Sequence, residues 1–203
     1  GTNGKTTTVG MVAAIGSAAG LDLPAVGNVG PSVALAAREP AHDALAVELS
    51  SFQLHHTYSM AAHAAVVLNI AADHLDWHGS FEDYVAAKAR VYERSVVACV
   101  YPAGDALVEG LVREAEVAEG ALAVGLTLGA PGPGQLGLVD GVLVDRAFHT
   151  AMDAVDRHAT AAELGTLEDL AHLAGPGGRL APHVVSDALA AAALARSLGV
   201  PAA

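Results

Sequence analysis

The chain opens on Gly1-Thr2-Asn3-Gly4-Lys5-Thr6-Thr7, a glycine-containing loop that ends in Gly-Lys-Thr directly before a helical pattern. Backbone N–H groups and the positive end of a helix favour phosphate at such a place. Gly4 lets the backbone approach a phosphate, Lys5 offers a point charge to the β and γ groups, and the Thr6 hydroxyl can ligate Mg²⁺. The bland alternative is a chance turn before a helix; the strand pattern around the motif favours nucleotide binding.

Three further clusters have chemical potential. Glu48 ends an apolar strand pattern and is followed by Ser50-Ser51-Phe52-Gln53. The carboxyl ends of parallel strands line the ligand crevice, so Glu48 either holds the metal that Lys5 and Thr6 face or is a solvated strand-end carboxylate. The run Asn69-Ile70-Ala71-Ala72-Asp73-His74-Leu75-Asp76-Trp77-His78 packs two Asp and two His into six residues. It reads as a site for a divalent metal or proton transfer, or as a polar helix start with Trp77 as a core or rim aromatic. Lys88 has Tyr84, Val85, Val91 and Tyr92 on its own helix face. Such a lysine is either partly buried and neutralisable or simply snorkelling. His42, His55, His56, His63, His149, His158 and His172 have no clear partner spacing and default to surface or core roles.

These residues need a scaffold, and the pattern supplies an α/β one. A helix over 5–19 precedes short apolar segments at 23–26, 44–49, 64–70, 96–101 and 121–128, which alternate with helical ones at 31–38, 80–94 and 106–118. That alternation predicts βαβ units around a mainly parallel sheet flanked by helices, as in P-loop nucleotide-binding folds. Pro31 suits a first helical position, and Ser80 followed by Asp83 resembles a capping box with Asp in place of Glu or Gln. Residues 129–134 are a Gly/Pro loop, and 135–139 and 142–146 flank Asp140-Gly141 as a small additional β-hairpin. The stretch 147–178 gives no clear pattern, and 186–198 closes the chain as an Ala/Leu helix.

Composition narrows the function. Of 203 residues, 22 are acidic and 10 basic, a formal charge of −12. That argues against nucleic acid and anionic lipid as partners, both of which call for a basic stripe. The longest apolar stretch, 188–195, is far shorter than the roughly 20 residues that span a bilayer as a helix. One cysteine, Cys99, precludes an internal disulfide or a Cys-based zinc site, and a reducing, cytoplasmic setting fits. Because it starts inside a functional motif rather than at Met, the chain reads as a piece of a longer protein.

Together, Gly1 to Thr7, Gly27-Asn28-Val29-Gly30, Glu48-Leu49-Ser50-Ser51-Phe52-Gln53-Leu54, Asn69 to His78 and Ala86-Ala87-Lys88-Ala89-Arg90 resemble the central ATP-binding domain of the Mur ligase family, the amide-forming enzymes of peptidoglycan precursor synthesis. The Glu48 and Asn28 motifs are most similar to the branch that adds D-glutamate to UDP-N-acetylmuramoyl-L-alanine through an acyl phosphate. The resemblance implies ATP and Mg²⁺ as cofactors. It implies an ATP site at Gly1, Thr2, Asn3, Gly4, Lys5, Thr6, Thr7 and Asp187, the last where the family often has Asn. A first metal would sit at Thr6, Glu48 and Ser50, a second at His74 and Lys88, with substrate contacts from Asn28 and Ser50. Lys5, His74 and Lys88 are the implied catalytic residues, and Lys88 resembles a family lysine that is carbamylated. By the same resemblance residues 1–203 are the central domain truncated inside the P-loop, 182–203 lead to a C-terminal domain outside the chain, and the chain is inactive alone. A sibling Mur-type ligase, a folylpolyglutamate synthase and a non-catalytic P-loop module are the alternatives.

Overall fold

The computed structural model describes residues 2–38 and 42–202. Helix α1 (Lys5–Ala18) leads into β1 (Ala25–Gly27), α2 (Val33–Ala36), β2 (Ala46–Glu48), α3 (Ser51–His55), β3 (Ala64–Val66), α4 (Leu75–His78), α5 (Phe81–Ala89), β4 (Ala98–Pro102) and α6 (Ala106–Glu114). Strands β5 (Leu122–Leu126), β6 (Gln135–Val139), β7 (Val142–Asp145) and β8 (Ala162–Thr166) follow, and α7 (Pro182–Ser197) ends the fold. β1 and β2 form a parallel pair; β3 to β8 form a six-stranded sheet in chain order. β3 through β6 are parallel, and β6, β7 and β8 pair antiparallel. This is the expected mainly parallel α/β architecture, and the hairpin extends its sheet.

Alternation along β4 explains why both faces are covered. Ala98 and Val100 point into one core with Val124, Leu136 and Leu189, while Cys99 points into another with Val67, Tyr92 and Val108. α7 covers the first face and also packs on α1. Its alanines 190, 191 and 193 are wholly buried, small side chains that let the helix approach both the sheet and α1 closely. Burial raises the Cys99 thiol pKa, which suits a packing role.

Several boundaries differ from the sequence reading for identifiable reasons. Pro31 lies outside α2: Ser32 is the N-cap, its hydroxyl accepting from Leu35 N–H at 3.3 Å. Ser80 caps α5 by accepting from Asp83 N–H at 3.0 Å, but its own hydroxyl donates to the Asp83 carboxylate at 2.7 Å. Aspartate is one methylene shorter than glutamate, and the reciprocal bond to the Ser80 backbone is not made. The helix expected to reach residue 118 stops at Glu114, because the backbone beyond it pairs with the turn at Arg94 and Ser95. The strand expected over 64–70 keeps its ladder only to Val66; Val67 N–H donates to the Tyr92 hydroxyl instead. α7 begins at Pro182, four residues early, with the φ of proline preset for a first turn. The unread stretch 147–178 supplies β8, so the hairpin becomes a three-stranded extension.

That stretch is anchored by a buried charge. Asp145 is wholly buried; one carboxylate oxygen accepts from the Ala147 and Phe148 N–H groups, and the other takes Arg196 Nε at 2.9 Å. Arg196 also donates to the Val200 and Phe148 carbonyls. Removing one partner of such a pair strands the other charge in the core, which costs about 3–5 kcal/mol. Arg196→Met is therefore expected to lower Tm by roughly 6–20 °C at this domain size, and adding Asp145→Asn to recover part of the loss. Thermal unfolding followed by circular dichroism checks this, and an unchanged Tm in the single variant would refute it.

Candidate functional site

The loop at the start of α1 presents the N-terminal end of that helix, where a bound anion would be favoured. Gly4 is the N-cap, in the left-handed region at φ 85°, and no side chain caps the helix. A Cβ here would overlap the Asp187 carboxylate, so only glycine lets α7 approach the loop. Asp187 is buried, which raises its pKa, with His183 opposing the shift. The loop is tied down from the opposite side by Asn69. Its Oδ1 accepts from the Thr2 and Asn3 N–H groups at 2.9 and 3.0 Å, and its Nδ2 donates to the Asn3 carbonyl at 3.0 Å. Lys5 Nζ donates to the Thr2 carbonyl at 3.2 Å. Thr7 is exposed on the first turn, and Gly1 lies outside the described residues.

Glu48 ends β2 at 3% exposure. Gly27, at φ 116°, lies opposite it in the ladder, where a Cβ would overlap the Glu48 carbonyl. That close approach puts Asn28 Nδ2 on Glu48 Oε1 at 3.1 Å, while Thr6 Oγ1 donates to Oε2 at 2.8 Å. Among the described residues no Lys, Arg or His forms an ion pair with this carboxylate. The solvated strand-end reading is thereby excluded. A buried carboxylate beside a hydroxyl oxygen fits a hard cation such as Mg²⁺. Among the described residues no three His, Cys, Asp or Glu side chains converge as a complete cage, so further ligands would come from phosphate or water.

A cavity of about 180 Å³ opens beside these groups, enough for phosphoryl or carboxylate groups but small for a nucleotide. Of the residues expected at the site, Thr2, Lys5, Asn28, Ser50, His74 and Lys88 line it; Ser51, Phe52, Asp73 and Tyr84 complete the wall. Ser50 is the N-cap of α3, in a capping box with Gln53. This helix is absent from the sequence reading, although Ser50-Ser51-Phe52-Gln53 carries its signature. His74 caps α4 in the left-handed region at φ 52°, a strained conformation for a side-chain-bearing residue. Its ring packs on Phe52 at 4.9 Å, and its Nε2 lies 3.4 Å from an Asp73 carboxylate oxygen. Trp77, half exposed, proves to be a rim aromatic, flanked by Phe52, His55, His56 and His78.

Lys88 is 5% exposed, with Nζ 4.7 Å from the Tyr84 ring centroid. Snorkelling is therefore excluded. Burial lowers its pKa, with Asp73 partly opposing. Tyr84 is itself buried, and its hydroxyl is 3.0 Å from Thr2 Oγ1, linking the lysine helix to the phosphate loop. Local sequence reasoning named the runs that hold Asn69, Ser51 and His78 and the helix face that holds Tyr84, but gave none of the four its own role; each acts through a partner distant in the chain. The amine and the loop thus meet at one small polar cavity, and the Glu48 carboxylate stands behind its wall, bonded to Asn28.

The family model described as Mur ligase middle domain matches residues 1–130. A protein from Streptomyces avermitilis named UDP-N-acetylmuramoylalanine--D-glutamate ligase is 57% identical over 203 residues, covering 100% of this chain and 41% of that protein. One of the same name from Streptomyces coelicolor is 55% identical over 204 residues, again covering 100% and 41%. Another of that name, from Leifsonia xyli subsp. xyli, is 51% identical over 206 residues, covering 98% and 38%. The chain spans about two-fifths of the length of these relatives. On a glycine-lysine-threonine loop set beside a buried carboxylate and lysine, and on this match through residue 130, the chain belongs to the Mur ligase family.

Proposed function

We propose that this chain is the ATP- and Mg²⁺-handling part of a longer cytoplasmic ligase that adds D-glutamate to UDP-N-acetylmuramoyl-L-alanine in peptidoglycan precursor synthesis. Lys5 and Lys88 on one cavity, with Glu48 held behind its wall by Asn28, carry this reading, and the relatives' shared name supports the choice of substrates. The remaining length of such a protein would supply the domains that hold the uridine nucleotide and the amino acid, and the chain alone would be inactive.

In the first stage a carboxylate oxygen of UDP-N-acetylmuramoyl-L-alanine bonds to the γ-phosphorus of ATP, the β,γ-bridging bond breaks and ADP leaves. In the second, the D-glutamate amine attacks the acyl carbon, loses a proton and expels phosphate. Both stages gather negative charge, which fixed positive groups stabilise. The loop N–H groups from Gly4 to Thr7, with Lys5, hold the phosphates, on a backbone that Thr2 and Asn3 anchor to Asn69; Asn28 and Ser50 position the muramoyl substrate; and Asp187 contacts the nucleotide side of the loop. Thr6, Glu48 and Ser50 would hold one Mg²⁺, and His74 with Lys88 a second. The ions would supply positive charge between two anionic reactants. The lowered pKa of Lys88 favours the neutral amine, whose lone pair can add to CO₂ with loss of a proton, turning a cation into a carboxylate-like ligand.

Three outcomes test this in the longer protein. Calorimetric titration with Mg-ATP is expected to show saturable binding that Lys5→Ala removes; binding indifferent to Lys5 would count against the loop. Phosphate release should require D-glutamate and fall at least about 10²-fold in Lys88→Ala, as for loss of a transition-state electrostatic contact; full activity in that variant would remove Lys88 from the mechanism. With ¹³C-bicarbonate, a carbamate resonance absent from Lys88→Ala should strengthen as pH rises, with a midpoint below that of an ordinary lysine.

A further inference from the structure

His78 sits behind the cavity wall and touches a residue that has so far been given no role. It is buried, its ring parallel to Phe52 at 5.7 Å and edge-on to Trp77 and Tyr84. Nε2 lies 3.0 Å from Ser51 Oγ, whereas Nδ1 is buried with no hydrogen-bond partner. Two arrangements are possible for a neutral ring. If Ser51 donates to Nε2, the proton sits on Nδ1 as a buried, unpaired N–H, the kind of orphan that folded proteins avoid most strictly. If Nε2–H donates to Ser51, Nδ1 is left with only an unpaired lone pair, the milder penalty. The second arrangement also fixes the serine: Oγ accepts from behind, and its O–H is free to turn into the cavity, whose wall Ser51 forms.

We propose that His78 is a positioning residue that orients Ser51 as a hydroxyl donor to an oxyanion, phosphoryl or carboxylate, bound in the cavity. This rests on the ligase reading above for the identity of that oxyanion. Ser51 would then add an oriented hydroxyl donor beside Asn28, Ser50 and the charged groups, and Phe52, stacked on His78 and packed against His74, would keep the three rings in register.

The test has two arms. Histidine-selective ¹⁵N NMR of the longer protein is expected to show His78 protonated on Nε2 and bare on Nδ1; the opposite tautomer overturns the proposal whatever the protein catalyses. In D-glutamate-dependent phosphate release, Ser51→Ala and His78→Phe should each lower kcat/KM by about tenfold or more. The double variant should be no worse than either single one, and His78→Gln, which keeps a donor near Nε2, should recover most of the activity. A rise in KM for ATP identifies the phosphoryl oxygen, and a rise in KM for the muramoyl substrate the carboxylate. Multiplicative losses in the double variant, or an inactive His78→Phe with a lowered Tm beside a fully active Ser51→Ala, would reduce His78 to a packing residue and sink the proposal. Absence of D-glutamate-dependent turnover in the wild type would overturn the ligase reading instead, leaving the NMR arm to decide the hydrogen bond.

Discussion

The primary amide of Asn69 is the interaction on which the site depends. A phosphate loop must keep its N–H groups unpaired, yet a backbone with unpaired groups has little to hold it in shape. Asn69 resolves this by bonding only the first residues of the loop: two N–H groups and one carbonyl of Thr2 and Asn3. Asn69 makes no bond to the donors further along, at the start of α1. Since Asn69 leaves the end of β3, the loop inherits the rigidity of the sheet, and Tyr84 extends that tie to the helix carrying Lys88.

Charge placement follows a different rule in the site from that in the rest of the fold. Asp145 is buried only because Arg196 and two backbone N–H groups answer it. Glu48 and Lys88 are also buried, but the groups that touch them are neutral: a hydroxyl and an amide for the carboxylate, an aromatic face for the amine, on which Asp73 acts only from a distance. Buried ionisable groups without an ion pair are a net cost to the folded state, and they cluster where a ligand or metal restores the balance. Strained His74 is one more such cost at the same place.

Features encoded locally were legible in the sequence. The glycine-lysine-threonine loop, the apolar segments and the Ser80 cap each depend on neighbours within a few residues. α3 has five residues, too few for a helical period to emerge, and only its Ser50-to-Gln53 capping signature betrays it. β8, Ala-Glu-Leu-Gly-Thr, contains a glycine and alternates weakly; it becomes a strand because β7 offers an edge. Lys88 was legible as a face of apolar neighbours, but its depth was not, since Tyr84 is fixed by a loop residue 82 positions away. His78 belongs to the same class: its partner Ser51 comes from another strand–helix turn, 27 residues earlier.

The outer rim of the six-stranded sheet matters for solubility. β8 is an edge strand, and exposed edges invite pairing with other molecules. Here the register shifts between Leu143 and Val144, and Gly165 takes φ 139°. Such an irregularity twists an edge away from the flat geometry that stacking requires. Glu163 faces outward as a charge, and Asp169 claims the Thr166 N–H and hydroxyl at the strand's end. The bulge, the strained glycine and the outward charge together guard this edge against fibrous association.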